Sequence, residues 1–186
     1  KGSGKASLTR LIAGLDVPVS GSILIDHRDA SKQPGRMRPI ALLTSRHVLY
    51  PHMTVYGNLT RGLAYRSIPG QERDRRARRV AKILDLQTQL DRKPILLSGE
   101  ENARLALGRV LVRNPAILLC DCPFLHLDET TRKHMCHWLT RAADSQGFSL
   151  LYATRDANEA RAIAQKIMHI SAGCLIEEEQ KDKKDK

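Results

Sequence analysis

"AILLCDCPFLHLD" (residues 116–128) is the stretch that decides the fold of this chain. Its aliphatic run ends at Asp121, and Pro123 and a second acid, Asp128, follow it. A short apolar run bounded by such breakers is typical of a strand buried on both faces of a parallel sheet. Cys122 places a thiol directly after Asp121 at the end of this strand.

Runs of the same kind predict the other strands, and helical spacing lies between the later ones. The apolar spacing within residues 5–15 predicts a helix that closes near Gly14. We therefore expect an α/β fold with a parallel sheet covered by helices on both faces. The further strands are predicted at residues 21–27, 38–44, 149–154 and 166–171.

The middle of the chain, residues 52–115, is predicted to be a helical insert. It contains charged amphipathic stretches and stops at Asn114 and Pro115. The arginine run at 73–79 reads as a solvated helix face. The insert divides a core made of residues 1–51 and 116–176, and residues 177–186 are predicted to be a charged, disordered tail.

Composition limits the class of protein. The chain has 186 residues, of which 41% are hydrophobic and 27% charged, as in ordinary globular proteins. No apolar run is long enough to span a bilayer and the N-terminus does not resemble a signal peptide, so a cytoplasmic location is predicted. The net charge is +11, but it is spread over several segments and the aromatic residues show no stacking pattern, so nucleic acid is not expected as a partner.

Four cysteines do not form a spaced disulfide framework. A metal site from Cys120, Cys122 and Cys136 with His134 or His137 matches no familiar zinc spacing. We therefore predict buried free thiols.

"KGSGKAS" (residues 1–7) is the second half of a phosphate-binding loop of the form G-x-x-x-x-G-K-[ST]. Glycines let backbone N–H groups close on phosphate oxygens, and the helix N-terminus adds a favourable dipole. Lys5 supplies a positive charge.

Several blocks in order carry a family resemblance. "LLSGEENARLALGRVLVRNPAILLCDCPFLHLD" closely resembles the nucleotide-binding subunit of ABC transporters. "LIAGLDVPVSGSILID", "LYPHMTVYGNL" and "LDRKP" narrow the likeness to subunits that drive import of sugars and glycerol phosphate. The resemblance covers residues 1 to about 176 and implies a phosphate-loop NTPase (RecA-like) parallel-sheet core with an inserted α-helical subdomain.

The resemblance also implies ligands, partners and site residues. Two such subunits form a head-to-tail dimer around two ATP molecules with Mg²⁺, and they dock to membrane-spanning permease subunits on the inner face of the cell membrane. By position, Asp121 would hold the metal and Asp128 would lie in the dimer-contact loop. The nucleotide loop would be Gly2, Ser3, Gly4, Lys5, Ala6 and Ser7, and the signature segment Leu97, Ser98, Gly99, Glu100 and Glu101.

The chain departs from the family pattern at the positions that take part in ATP hydrolysis. Ala6 lacks the Mg²⁺-binding hydroxyl, and Ser7, one residue further round the helix, does not replace it. Ser45 stands at the position of the glutamine that contacts Mg²⁺ and the attacking water. Cys122 and Arg155 stand at the positions of the catalytic glutamate and the switch histidine.

The signature segment departs as well, since it reads L-S-G-E-E instead of L-S-G-G-Q. Ser98 could still donate to a γ-phosphate, but the added carboxylates of Glu100 and Glu101 are expected to repel a triphosphate. With no catalytic residue retained, we expect ATP binding to be weakened and hydrolysis lost or strongly impaired.

Several readings stay open. The chain resembles a degenerate importer ATP-binding subunit, which leaves open whether it is an active ATPase. It could instead be the degenerate half of a heterodimer with one competent partner, a non-enzymatic basic binding protein, or a drifting copy of a gene. The family's first strands would precede Lys1, so we expect either a fragment of a longer product or a damaged fold. No residue of this chain identifies the transported solute or the permease.

Overall fold

The computed structural model describes residues 3–46, 48–64 and 66–178. Its strands in chain order are β1 Leu24–Ile25, β2 Arg28–Asp29, β3 Ile40–Thr44, β4 Ile117–Asp121, β5 Ser149–Ala153, β6 Met168–Ser171 and β7 Cys174–Glu177. The α-helices are α1 Lys5–Ala13, α2 Val55–Ala64, α3 Gly70–Ile83, α4 Gly99–Leu111, α5 Glu129–Gln146 and α6 Ala157–Ile163. Short 3₁₀ turns lie at Gly35–Met37, Gln87–Gln89 and Pro94–Leu96.

A parallel three-stranded sheet in the order β3-β4-β5 forms the centre of the core. Its two faces bury different side chains because successive residues of a strand point to opposite sides. Leu119 packs with Ala13 of α1 on one face, whereas Leu118 and Cys120 pack into the larger cluster formed with α4 and α5. The predicted α/β fold, with a parallel sheet between helical layers, is therefore confirmed.

Two of the predicted strands lie outside this sheet, which corrects the prediction. Residues 24–25 pair with β2, and residues 168–171 pair with β7, each as an antiparallel two-stranded hairpin. The loops are two residues long, with positive φ at Asp26 and His27 in one hairpin and at Ala172 and Gly173 in the other. This geometry matches the turns that return a strand directly alongside itself, so each strand pairs with its own neighbour in sequence.

Helices α2, α3 and α4 lie within the segment predicted to be helical. Gly108 of α4 makes their packing close, because a Cβ there would lie 2.8 Å from a methyl carbon of Leu59 in α2 and 3.1 Å from one of Leu84, which follows α3. The arginines on the outer face of α3 are mostly exposed, as the sequence predicts. No helix in the described part of the chain is long and apolar enough to cross a membrane.

The first two residues of the predicted charged tail, Glu177 and Glu178, belong to the described fold. Glu177 belongs to β7, and the backbone N–H of Glu178 donates to the carbonyl of Ile167 at 3.0 Å. Residues 179–186 lie outside the described residues.

Arg38 is a buried cation, 2% exposed, that ties α1 to the rest of the core. Its guanidinium donates to the carbonyls of Leu11 and Ile12, both at 2.7 Å, at the end of α1. It also donates to the carbonyls of Ala30, Ser31 and Gln33. Hydrogen bonds to five carbonyl oxygens satisfy a buried charge without a carboxylate, and they fix the helix that begins at Lys5.

Candidate functional site

The carboxyl ends of the three parallel strands form the edge at which the predicted site residues meet. Thr44, Asp121 and Ala153 occupy the same level of the sheet, since Thr44 pairs with Asp121 and Asp121 with Ala153. Ser45, Cys122 and Arg155 follow these ends within two residues. Parallel sheets place ligands at this edge because loops and helix N-termini converge there.

The phosphate loop leads into α1 through a left-handed glycine. Gly4 has φ 91° at the N-cap of α1, and its carbonyl accepts from the N–H of Leu8 at 2.9 Å. The Lys5 ammonium donates to the Ser3 hydroxyl at 2.8 Å. Gly2 lies outside the described residues. The described part of the loop thus places the N-terminus of α1 and the Lys5 ammonium side by side, with Ser3 as the partner of the ammonium, and phosphate binding there stays a prediction.

Positions 6 and 7 lie in the first turn of α1. Ala6 is exposed and has no oxygen in its side chain, and Ser7 is exposed on the next position of α1. The hydroxyl of Thr9 donates to the carbonyl of Ala6 at 2.9 Å and is 1% exposed, so it faces the helix interior. Of these three residues, Ser7 presents an exposed hydroxyl, whereas the hydroxyl of Thr9 is hydrogen-bonded within α1.

Cys122 lies among charged groups in a strained backbone conformation. Its φ is 44°, which is uncommon for a residue other than glycine, and its N–H donates to the carbonyl of Ala153 at 2.9 Å. Burial, and then the charge of Asp121, raises the pKa of the Cys122 thiol, while Arg155 and Lys5 oppose that rise. The thiol is therefore protonated near neutral pH and does not act as the anionic base that a glutamate would be.

Asp121 is partly buried at the end of β4. Across residues 3–46, 48–64 and 66–178, no three His, Cys, Asp or Glu side chains come together as a metal-binding group. The assignment of Asp121 to a metal ion stays a prediction.

Glu159 of α6 anchors the turn that carries Arg155, a feature that the sequence analysis missed. The Tyr152 hydroxyl donates to Glu159 Oε1 at 2.5 Å, and the Thr154 hydroxyl donates to Oε2. Burial raises the pKa of Tyr152, and its bond to Glu159 raises it further. The available sequence signal for this turn was Thr154, which lies two residues before Asp156, the N-cap of α6.

The signature segment caps its own helix. Ser98 is the N-cap of α4 and its hydroxyl accepts from the N–H of Glu101 at 3.1 Å, while the Ser98 N–H donates to Glu101 Oε2 at 2.8 Å. Gln89 donates to the other oxygen of Glu101 at 3.2 Å. This capping box lowers the pKa of Glu101, first through the backbone bond of Ser98. Leu97 packs against the core just before the cap, and Gly99 opens the helix.

The Glu100 carboxylate contacts two cationic or ionisable side chains of its own chain. Its Oε2 lies 3.1 Å from Nδ1 of His134 in α5, and its Oε1 lies 3.7 Å from Nε of Arg104. Arg104 in turn stacks over Trp138 at 5.2 Å from the ring centroid. Both added carboxylates of the signature thus have partners within the chain. The S-x-x-E spacing of Ser98 and Glu101 is a readable sign of the capping box, whereas the sequence did not indicate the partner of Glu100, because His134 lies 34 residues away.

Asp128 is the N-cap of α5. Its carboxylate accepts from the N–H of Thr131 at 3.0 Å and from the Thr131 hydroxyl at 2.6 Å. These bonds lower the pKa of Asp128. The expected contact of Asp128 with a second subunit stays a prediction.

The cysteines agree in part with the expectation of buried free thiols. All four are free, and Cys120 and Cys136 are buried. Burial raises the pKa of Cys136 to about 12. Cys174 is exposed in β7, where the prediction of burial is wrong.

A groove of about 470 Å³ lies on the helical part of the chain. Met53, Tyr56 and Ala64 contribute apolar surface, and Arg61 and Arg73 contribute cations. The segment before α2 is held firmly, because Asn58 donates to the carbonyl of Tyr50 at 3.0 Å and accepts from its N–H at 2.8 Å. Arg109 of α4 stacks on the Tyr50 ring at 4.4 Å. The groove is thus bordered by fixed elements.

Comparison with known proteins finds relatives over most of the chain. An sn-glycerol-3-phosphate import ATP-binding protein of Bartonella quintana is 41% identical over 174 residues, which are 94% of this chain and 50% of the relative. Its counterpart in Brucella suis is 40% identical over 172 residues, 92% of this chain and 49% of the relative. A trehalose/maltose import ATP-binding protein of Thermococcus litoralis is 39% identical over 180 residues, 94% of this chain and 48% of the relative.

The chain spans about half the length of the curated relatives it matches. The pattern of the ABC transporter family matches residues 1–125, which contain the phosphate loop, the signature segment and Asp121. These matches agree with the parallel sheet and with the helix that follows the phosphate loop. The chain belongs to the ABC transporter family.

Proposed function

We propose that the chain is the nucleotide-binding part of an importer ATP-binding subunit that binds nucleotide weakly and has lost hydrolysis. The relatives are named as ATP-binding proteins of glycerol-3-phosphate and trehalose/maltose import, which makes a sugar or a glycerol phosphate the proposed class of cargo. The observation that carries the proposal is that Cys122 and Arg155 directly follow the paired ends of β4 and β5, where the charges of Asp121, Arg155 and Lys5 act on the Cys122 thiol.

Weak binding follows from the cations and the backbone. The N-terminus of α1 and the Lys5 ammonium attract a triphosphate, and Arg155 adds a second cation that could hold a phosphate oxygen. Against this, Lys5 must first release Ser3, and Mg²⁺ would find Asp121 without the hydroxyl that the phosphate-loop motif has at position 6. When bound, Mg²⁺ would neutralise charge on the β- and γ-phosphates.

Loss of hydrolysis follows from the acid–base groups. A protonated thiol at Cys122 does not polarise a water, and arginine stays charged and does not relay a proton at neutral pH. Ser45 is too short to place a water where a glutamine side chain would. We therefore assign no catalytic role to Ser45, Cys122 or Arg155.

The proposed assembly has a nucleotide-binding partner, identical or different, whose phosphate loop would face Leu97–Glu101 and whose surface would meet Asp128. Permease subunits would dock at the groove bordered by Met53, Tyr56 and Arg73, which puts the chain at the inner face of the membrane. In this arrangement residues 1–51 and 116–176 act as the nucleotide-binding core, and residues 52–115 as the signature subdomain.

The test measures binding and turnover separately on the purified chain. Binding is followed with a fluorescent ATP analogue in the presence and absence of Mg²⁺, and turnover with phosphate release. We expect saturable binding that is weakened by Lys5→Ala and unaffected by Lys133→Ala, a surface control on α5, with no phosphate release above background. Phosphate release from the unaltered chain would refute the loss of hydrolysis. An affinity for the ATP analogue that Lys5→Ala leaves unchanged would refute the nucleotide site.

A further inference from the structure

Two cations and one carboxylate act on the Cys122 thiol at the carboxyl edge of the sheet. Burial and the charge of Asp121 raise the pKa of that thiol, while the charges of Arg155 and Lys5 lower it. The Lys5 ammonium donates to a neutral partner, the Ser3 hydroxyl, at 2.8 Å. Arg155 makes no hydrogen bond and no ion pair with a carboxylate in the described part of the chain. Both positive charges therefore remain for an anionic ligand.

The backbone that carries Arg155 is held on both sides. Before it, the Thr154 hydroxyl donates to Oε2 of Glu159. After it, Asp156 is the N-cap of α6, and its Oδ1 accepts from the N–H of Asn158 at 2.9 Å and from that of Glu159 at 3.3 Å. The N–H of Asp156 donates to the Thr154 hydroxyl at 3.1 Å, which closes the turn. The exposed Arg155 side chain therefore extends from a fixed backbone.

The acidic groups at this edge offer a divalent metal ion little charge. Asp121 accepts no hydrogen bond within the described residues, so its carboxylate is free to bind. Glu159 also acts on the Cys122 thiol, but its two oxygens accept from the hydroxyls of Tyr152 and Thr154. Protein sites tune their affinity for divalent cations through the number of charged ligands. One free carboxylate beside two free cations therefore favours an anion over Mg²⁺.

We propose that this site takes a nucleoside triphosphate without its metal ion, an inference that rests on the nucleotide-binding function proposed above. Lys5 and Arg155 would supply the positive charge that Mg²⁺ supplies in the phosphate-loop motif. A guanidinium suits this role because it donates two parallel hydrogen bonds to phosphate oxygens. A metal-free triphosphate also carries more negative charge than its Mg²⁺ complex, so it gains more from the two cations. Mg²⁺ held at Asp121 would in addition be repelled by the charge of Arg155.

The test measures the dissociation constant of a fluorescent ATP analogue for the full chain at constant ionic strength, once with excess EDTA and once with excess Mg²⁺. We expect binding to be roughly tenfold tighter in EDTA, the size of one charge-assisted contact. Arg155→Gln should remove most of this preference by weakening the binding in EDTA by roughly tenfold. Arg155→Lys keeps the charge and should keep the preference.

A matched arginine variant separates the site from the net charge of the chain. Arg161→Gln removes the same charge from α6, where Arg161 lies 3.6 Å from Glu178, and should leave both affinities unchanged. Equal or tighter binding in Mg²⁺, a preference for EDTA that survives Arg155→Gln, or an equal loss of preference in Arg161→Gln would each overturn the inference. These three results would leave the proposed nucleotide site intact, whereas an absence of binding in both conditions would refute that site itself.

Discussion

Replacing Arg38 by methionine should loosen the phosphate-loop helix and destabilise the whole chain. Arg38 hydrogen-bonds five carbonyl groups, and two of these, Leu11 and Ala30, keep a second backbone donor when the guanidinium is gone. The carbonyls of Ile12, Ser31 and Gln33 accept from no other group in the described part of the chain. Methionine has a similar length but no donor, so these oxygens lose their partner.

The size of the effect follows from those three carbonyls. Each buried acceptor left without a donor costs about 1–3 kcal/mol. The costs do not add fully, since the loops at 30–33 can admit water, and the desolvation cost of the guanidinium is recovered. We therefore expect a loss of about 3–5 kcal/mol in the free energy of unfolding, the lower part of the range that three unpaired acceptors would give. For a chain of this length the melting temperature should fall by roughly 6–20 °C.

Urea unfolding followed by the fluorescence of Trp138, the single tryptophan of the sequence, measures the loss. Arg36→Met is the matched control. Arg36 lies two residues before Arg38, is exposed, and makes no hydrogen bond within the described residues. The control should stay within about 0.5 kcal/mol of the unaltered chain. A loss below about 1 kcal/mol for Arg38→Met would refute the inference that these hydrogen bonds hold α1 in place.

Three further predictions concern backbone contacts, capping and catalysis. Gly35→Ala should destabilise the fold, because the added Cβ would lie 2.3 Å from the carbonyl oxygen of Ala13. Gly62→Ala in α2 adds a Cβ that meets nothing within 4 Å, so it should stabilise the fold by up to about 1 kcal/mol. Thermal melts of the two variants compare these effects. Glu101→Ala should lower the free energy of unfolding by about 1 kcal/mol at neutral pH. Because the pKa of Glu101 is lowered in the folded chain, this contribution is present above its unfolded pKa and is lost as the pH falls through the folded value. The urea midpoints of the variant and the unaltered chain should therefore converge in acid. Cys122→Glu alone should not produce ATP hydrolysis, because Ala6, Ser45 and Arg155 still lack the required groups; phosphate release from that single variant would contradict the view that several independent losses block the reaction.

The hairpins illustrate what pattern alone missed. Residues 24–25 and 168–171 have the aliphatic character of the core strands, and the period of a strand does not reveal its partner. The two-residue turns at Asp26–His27 and Ala172–Gly173 decide the pairing, and glycine at the second position of the latter was a readable sign of it. The helix at α1 and the strands β3, β4 and β5 were predictable because each has a local pattern with a clear stop signal.

The sequence by itself determined the family, the order of the motifs and the individual strands and helices of the core, since these depend on residues close together in the chain. It also determined which chemical groups are absent at positions 6, 45, 122 and 155. The tertiary structure alone decided the contacts that join distant residues. Arg38 reaches α1 across 26 and 27 positions, and His134 reaches Glu100 across 34. No local period encodes such pairs, because they arise only when packing brings the elements together.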